Sequence, residues 1–222
     1  MLAKAIAGFL QLAALLALML LLPAWTLHYW QAWTYLAVFL GSSLLISVDL
    51  WFRDQRLLER RLKAGPGAEE RKGQNWIQVL ASFCFAALLV IPALDHRFGW
   101  STVPVVVIVI GNLLVAAGFS VVYLVFRVNT FTAGTIEIAH EQTVISTGPY
   151  ALIRHPMYSG ALILLLGTPL ALGSFWGLLA LIPMTAALAA RLLDEEKFLA
   201  GELPGYKEYC RKVRFHLVPF VW

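Results

Sequence analysis

Two short stretches of the chain gather side chains able to bind and orient a reacting molecule. The first runs Arg154-His155-Pro156-Met157-Tyr158-Ser159-Gly160. A histidine and a tyrosine three residues apart on a helix reach the same side. Pro156 suits a first helical position, where its missing N–H costs nothing. The unbonded N–H groups of such a helix start, with Arg154 beside them, make a receptor for an anion such as a carboxylate. The second stretch is Arg191-Leu-Leu-Asp194-Glu195-Glu196-Lys197. Arg191 and Glu195 are four apart and share a helix face, although arginine N-terminal to glutamate is the weaker order for a simple ion pair. Ionisable residues crowded at the edge of an apolar segment mark a functional site. Plainer readings stand beside both: a membrane-entry cap with Arg154 snorkelling and Tyr158 at the interface, and a salt bridge with a stop-transfer anchor.

The elements that position these clusters are set by hydropathy. Of 222 residues, 60% are hydrophobic and only 14% charged, and the mean hydropathy is +0.75. Soluble domains carry about 25% charged residues, so a water-soluble globule is excluded, and so is a nucleic-acid binder. The net charge of +4 fits a membrane protein with basic loops. Cys84 and Cys210 form neither a disulfide framework nor a zinc spacing, and no metal site is expected. Glycine-rich phosphate-binding patterns are missing, which excludes a soluble Rossmann-type cofactor site.

A span needs about 20 apolar residues. Helices are predicted at 4–24, 31–51, 76–94 and 103–126, with Trp25, Trp30, Trp33, Trp51, Trp76 and Trp100 near their ends, where amphipathic rings prefer to sit. Residues 1–25 read as an anchor rather than a cleaved signal. The stretch from His155 to Ala190 contains no Lys, Arg, Asp or Glu and would reach about 54 Å as one helix. Gly167, Pro169, Gly173 and Ser174 break it into a hairpin, 157–172 and 175–191. The fold expected is all-α: a polytopic transmembrane bundle of four spanning helices plus a C-terminal hairpin. It divides into 1–126, including the loop 52–73, and 127–222, comprising connector, hairpin and tail. The hairpin returns the chain to the face it left, so 150–158 and 191–195 converge there.

Basic residues orient the bundle. The 52–73 loop holds Arg53, Arg56, Arg60, Arg61, Lys63, Arg71 and Lys72, and the tail from Arg191 is also rich in them. The opposite turns have Arg97 alone. Loop, connector and tail are therefore expected in the cytoplasm, with the site facing it. The 127–155 connector, which includes Gly134 and Thr135, is long enough to be functional. His28 and His96 read as solvated. His140 and His216 could approach the site, though no spacing requires it. Asp49, Arg53, Asp54 and Arg56 read as a solvated helix end.

Residues 140–222 resemble the isoprenylcysteine carboxyl methyltransferase family of integral membrane enzymes. The resemblance rests on Gly148-Pro149-Tyr150, Arg154-His155-Pro156-Met157-Tyr158-Ser159-Gly160, Arg191 with Asp194-Glu195-Glu196, and Gly205-Tyr206-Lys-Glu-Tyr209. It implies S-adenosyl-L-methionine as cofactor, contacted by Gln142, Thr143, Val144, Ile145, Tyr150, His155, Pro156, Met157, Tyr158 and Glu195. It implies Arg191 as the substrate-carboxylate contact, with Arg191 and Glu195 as the catalytic pair. The acceptor would be a lipophilic or lipidated molecule entering from the bilayer. Gln142 stands where the family pattern has histidine, and the tail Val213-Arg214-Phe215-His216-Leu217-Val218-Pro219 spaces its proline more loosely. Membrane phospholipid or small-thiol methyltransferases and an NADPH-dependent sterol-type reductase share a similar C-terminal pattern, and a non-enzymatic scaffold is the remaining alternative. The acceptor and the oligomeric state are open at this level.

Overall fold

The computed structural model describes residues 2–62, 72–132 and 142–222; Lys63, Arg71, Gly134, Thr135 and His140 lie outside them. The chain forms α1 (Leu2–Ala24), α2 (Trp30–Arg53), α3 (Gln55–Leu62), α4 (Lys72–Phe98), α5 (Val105–Val128), α6 (Pro156–Ala171), α7 (Leu181–Glu202) and α8 (Tyr206–Lys212). Short 3-10 turns at Gly148–Ala151 and Trp176–Ala180 lead into α6 and α7. No strand occurs among the described residues. Among the described residues, five helical stretches are long and apolar enough to span a bilayer: α1, α2, α4, α5, and α7 with its leading turn. Large side chains such as Leu10, Leu18, Val106, Leu113 and Ile182 point outward, as they must where lipid is the solvent.

The expected spans are present, with differences outside them. The 52–73 loop contains α3, whose start is capped by Asp54: its Oδ1 accepts from Leu57 N at 2.9 Å. Asp49 and Arg53 pair at 3.0 Å on the last turn of α2. The returning arm does not stop at residue 191. α7 continues to Glu202, because Arg191-Leu-Leu-Asp-Glu-Glu-Lys-Phe-Leu-Ala is made of good helix formers that need no membrane to stay helical. Arg191 and Glu195 thus sit inside a continuous helix, which fixes their angular relation.

The tightest helix contact joins α5 and α6. Gly111 and Gly118 face Gly160 and Gly167, each pair seven residues apart. A Cβ on Gly118 would lie 2.6 Å from the Gly160 carbonyl oxygen, and one on Gly167 the same distance from that of Gly111. Apolar surface gains nothing by leaving lipid, so helices associate by close packing, and small residues permit it.

On the face away from the clusters, a polar knot ties the turns together. The buried Asp95 carboxylate accepts from Ser101 N and Oγ, both at 2.6 Å, and from Ser174 Oγ. Tyr29 donates to the Leu172 carbonyl at 2.7 Å and stacks on His96, ring centroids 4.0 Å apart. His96 is therefore a packed ring, whereas His28 is exposed as expected.

Gly118→Ala should cost about 1–3 kcal/mol, the usual penalty for overpacking, while Gly41→Ala, where a Cβ meets nothing within 4 Å, should be neutral or slightly stabilising. Thermal unfolding of the two variants in detergent reads the difference.

Candidate active site

The hairpin brings the two clusters together as expected, and the partners sort in a way the sequence did not show. Tyr158 on the first turn of α6 donates to Glu195 Oε2 on α7 at 2.7 Å. The His155 and Tyr158 rings lie 5.7 Å apart, on one side of the helix start. The next carboxylate, Glu196, turns the other way. It holds Arg154 Nη1 at 3.2 Å, His155 Nε2 at 3.1 Å and His216 Nε2 at 3.1 Å.

Arg154 is not an anion receptor. Its guanidinium is spent on Glu196 and on the Val213, Cys210 and Arg214 carbonyls, at 2.7 Å for Val213. The N–H groups of Arg154 and His155 donate to the Phe215 and His216 carbonyls, both at 2.9 Å, and Ser159 Oγ donates to Leu217 O at 2.6 Å. The tail lies over the entrance to α6 and takes the groups that the isolated segment leaves open. His216 belongs to this clamp. No local pattern announces it, because its partner is twenty residues away across a turn made by Gly205 in the left-handed region at φ 82°.

Arg191 reaches across to α4, where its Nη1 donates to Gln74 Oε1 at 3.3 Å. Gln74 is 1% exposed and donates through Nε2 to Asp194. One amide thus grips two residues of α7 one turn apart. In the sequence, Gln74 is marked only as a glutamine in the opening turn of an apolar span.

A cavity of about 670 Å³ opens between these elements. Gln142, Thr143, Val144, Ile145, Tyr150, His155, Met157, Tyr158, Arg191 and Glu195 all border it. Pro156 does not; it is buried as the first residue of α6 and turns the chain. The connector meets the cavity on both sides of 133–141, through Phe131 and Thr132 and through Gln142–Ile145. Deeper in, the walls become apolar: Leu15 and Met19 of α1, Ala81 and Phe85 of α4, Val122 of α5, Ala161 of α6 and Leu188 of α7. A polar mouth therefore runs into an apolar interior.

Asn129, Tyr206 and Tyr209 add polar groups to the lining that the expected contacts did not include. Asn129 Nδ2 donates to the Tyr150 hydroxyl at 2.9 Å, leaving the phenol its own hydrogen to donate. Burial, reinforced by Glu195, pushes the Tyr150 phenol up to about 12 against the lowering effect of Asn129, so it stays protonated. Tyr209 donates to the Tyr150 carbonyl at 2.8 Å and carries the tail against the 3-10 turn. Tyr206 borders the cavity, 5% exposed, with its hydroxyl buried and unbonded among the described residues. Burial and the nearby Glu196 carboxylate hold that phenol well above the ordinary range. The Cys210 thiol lies beside this hydroxyl.

The chamber thus combines a polar mouth with an apolar interior. Part of the chain is similar to known proteins. The family model described as Phospholipid methyltransferase matches residues 106–203, from α5 through the end of α7. The match covers less than half of the chain and makes this segment similar to that family. The chain is also 37% identical over 76 residues to the cobalt-zinc-cadmium resistance protein CzcN of Cupriavidus metallidurans, an alignment covering 32% of this chain and 33% of that protein. The chain thus spans about a third of the length of that curated relative.

Glu196→Gln should weaken tail docking by about 1–3 kcal/mol, the cost of leaving buried partners unpaired. Faster hydrogen exchange at the Arg154 and His155 amides, unchanged in Glu195→Gln, is the expected reading.

Proposed function

We propose that the protein transfers the methyl group of S-adenosyl-L-methionine to the carboxylate of a lipophilic, isoprenylcysteine-like acceptor, at a site facing the cytoplasm. The observation that carries this is the shared cavity: the residues implied as cofactor contacts and the arginine implied as the carboxylate contact border one chamber whose far wall is apolar. The cofactor fits the donor set. Glu195 supplies an anion for its cationic part, and Tyr150 and Tyr206 supply phenol hydrogens held in the protonated state. Val144, Ile145 and Met157 supply apolar walls. The basic 52–73 loop and tail favour a cytoplasmic orientation.

When bound, the cofactor would supply an electrophilic sulfonium methyl, whose transfer to a carboxylate oxygen would leave the carbon–sulfur electron pair on a neutral thioether. The acceptor is already deprotonated at neutral pH, so the chain has no proton to remove and contributes chiefly alignment. Arg191 orients the carboxylate and is itself held by Gln74. Tyr158, hydrogen-bonded to Glu195, keeps that carboxylate aimed along the cavity wall. Glu196 stays out of the reaction and keeps His155 and the tail in place.

A second reading, transfer to the amine of a phospholipid, is favoured by the family description over residues 106–203. Against it, two arginines, Arg61 and Arg191, border the chamber beside the one carboxylate of Glu195, a balance better suited to an anionic acceptor than to an amine.

Calorimetry with S-adenosylhomocysteine and with NADPH on detergent-purified protein tests the cofactor. Binding of the homocysteine, weakened at least about tenfold (1.4 kcal/mol) in Glu195→Ala and His155→Ala, is the expected result. NADPH binding alone would move the protein to the reductases, and binding of neither would return the scaffold reading. Arg191→Ala should abolish transfer while largely retaining homocysteine affinity; loss of both would sink the division of roles. Tyr206→Phe should weaken homocysteine binding about threefold to tenfold, the worth of one hydrogen bond.

A further inference from the structure

Arg61 occupies a place that its position in a basic loop does not suggest. α3 buries Leu57 and Leu58 against Leu50, Val125 and Phe126. Arg60 Nη1 donates to the Thr130 carbonyl at 2.9 Å and fixes the helix against the connector. This docking turns Arg61 inward. Its guanidinium carbon lies 5.3 Å from the centre of the Phe126 ring, and its Nη1 lies 3.9 Å from Met157 Sδ.

Two cavities meet at this residue. One is the chamber described above. The other is a groove of about 860 Å³ between the first half of α1 and the last half of α2, floored by Phe119, Val122 and Phe126 of α5. Its walls are apolar and turned to the lipid side, with Ile6 51% and Leu44 46% exposed. Arg61 and Val122 border both spaces. The groove lies at the ends of α1 and α2 nearest the site, beside the bilayer leaflet on that side. Its walls on α1 and α2 lie outside residues 106–203, the segment that matches the family, and its floor on α5 lies within it.

A cation at the inner end of an apolar, lipid-facing groove complements one kind of molecule: an apolar chain ending in an anion. We propose that the α1–α2 groove is the bed for the acceptor's apolar chain, and that Arg61 receives its carboxylate at the passage into the chamber. The inference rests on the transfer reading above and assigns it an entrance. The chain stays in lipid-like surroundings throughout, and the charged end passes from the Arg61 guanidinium to Arg191 without crossing the bilayer interior. A neutral lipid of the same length gains only the groove, so Arg61 selects anionic acceptors from the surrounding membrane.

Trp51 lines the groove and reports on it. The full chain in a non-brominated detergent is titrated with dibromostearate, with dibromostearyl alcohol and with dibromostearyl phosphate. The Trp51 component of the quenching is isolated by subtracting Trp51→Phe. Dibromostearate should quench at about tenfold lower concentration than the alcohol, the scale of a charge-assisted hydrogen bond. Arg61→Gln should erase that preference, Arg61→Lys should keep part of it, and Ser47→Phe should block quenching by filling the groove. Helical circular dichroism and a single gel-filtration peak matching the wild type show that all three variants fold. Equal quenching by acid and alcohol, or a preference that survives Arg61→Gln, overturns the proposal. Quenching by the phosphate with none by the carboxylate overturns the carboxylate occupant and points to a phospholipid. If the wild type fails to bind the homocysteine yet keeps the Arg61-dependent preference, the groove stands and the transfer reading falls.

Discussion

The arrangement of the site depends on how closely the backbones of α5 and α6 can approach. In lipid there is no hydrophobic gain from bringing two apolar helices together, so contact must be close to be worth anything. Glycines at 111, 118, 160 and 167 remove the side chains that would hold the two apart. Once α6 is pressed against α5, its first turn has one location, and His155 and Tyr158 project toward α7. The connector and tail then close around a helix start already in place.

Adjacent carboxylates on α7 are given different work by the helix itself. Residues 195 and 196 point about 100° apart at 3.6 residues per turn. Glu195 faces the cavity with the Tyr158 hydroxyl on it, and Glu196 faces the tail, where Arg154, His155 and His216 surround it. A carboxylate ringed by a guanidinium and two imidazoles is a fastening, and the cavity keeps the other. His155 takes part in both, since its ring borders the cavity while its Nε2 contacts Glu196. The fastening therefore fixes the orientation of a cavity wall.

What could be read from the sequence follows from how far each signal reaches. The spans were legible because twenty apolar residues in succession have few alternatives, and the hairpin because Gly167, Pro169, Gly173 and Ser174 interrupt a run too long for one crossing. The meeting of Tyr158 with Glu195 followed from that hairpin. α3 was not legible: eight residues rich in arginine look like a loop until Asp54 is seen to cap them and Leu57 and Leu58 to bury. Arg154 read as an anion receptor because its competing acceptors, three carbonyls of the tail, lie beyond any local pattern. Gln74 acquires its role in the same way, from a segment distant in the chain. His216 could be read as free to approach the site, but its partner Glu196 could not.

The Asp95 knot has a mechanical consequence. It clamps the turns at the end of the bundle opposite the cavity, joining α4 to the link between α6 and α7. The sixteen residues of α6 make a lever of roughly 24 Å at 1.5 Å per residue. A tilt of about 5° about the clamped end would carry His155 by about 2 Å over that length. Gly118 against Gly160 near the other end resists that tilt, so the knot and the glycine contact hold α6 as a strut fixed at both ends.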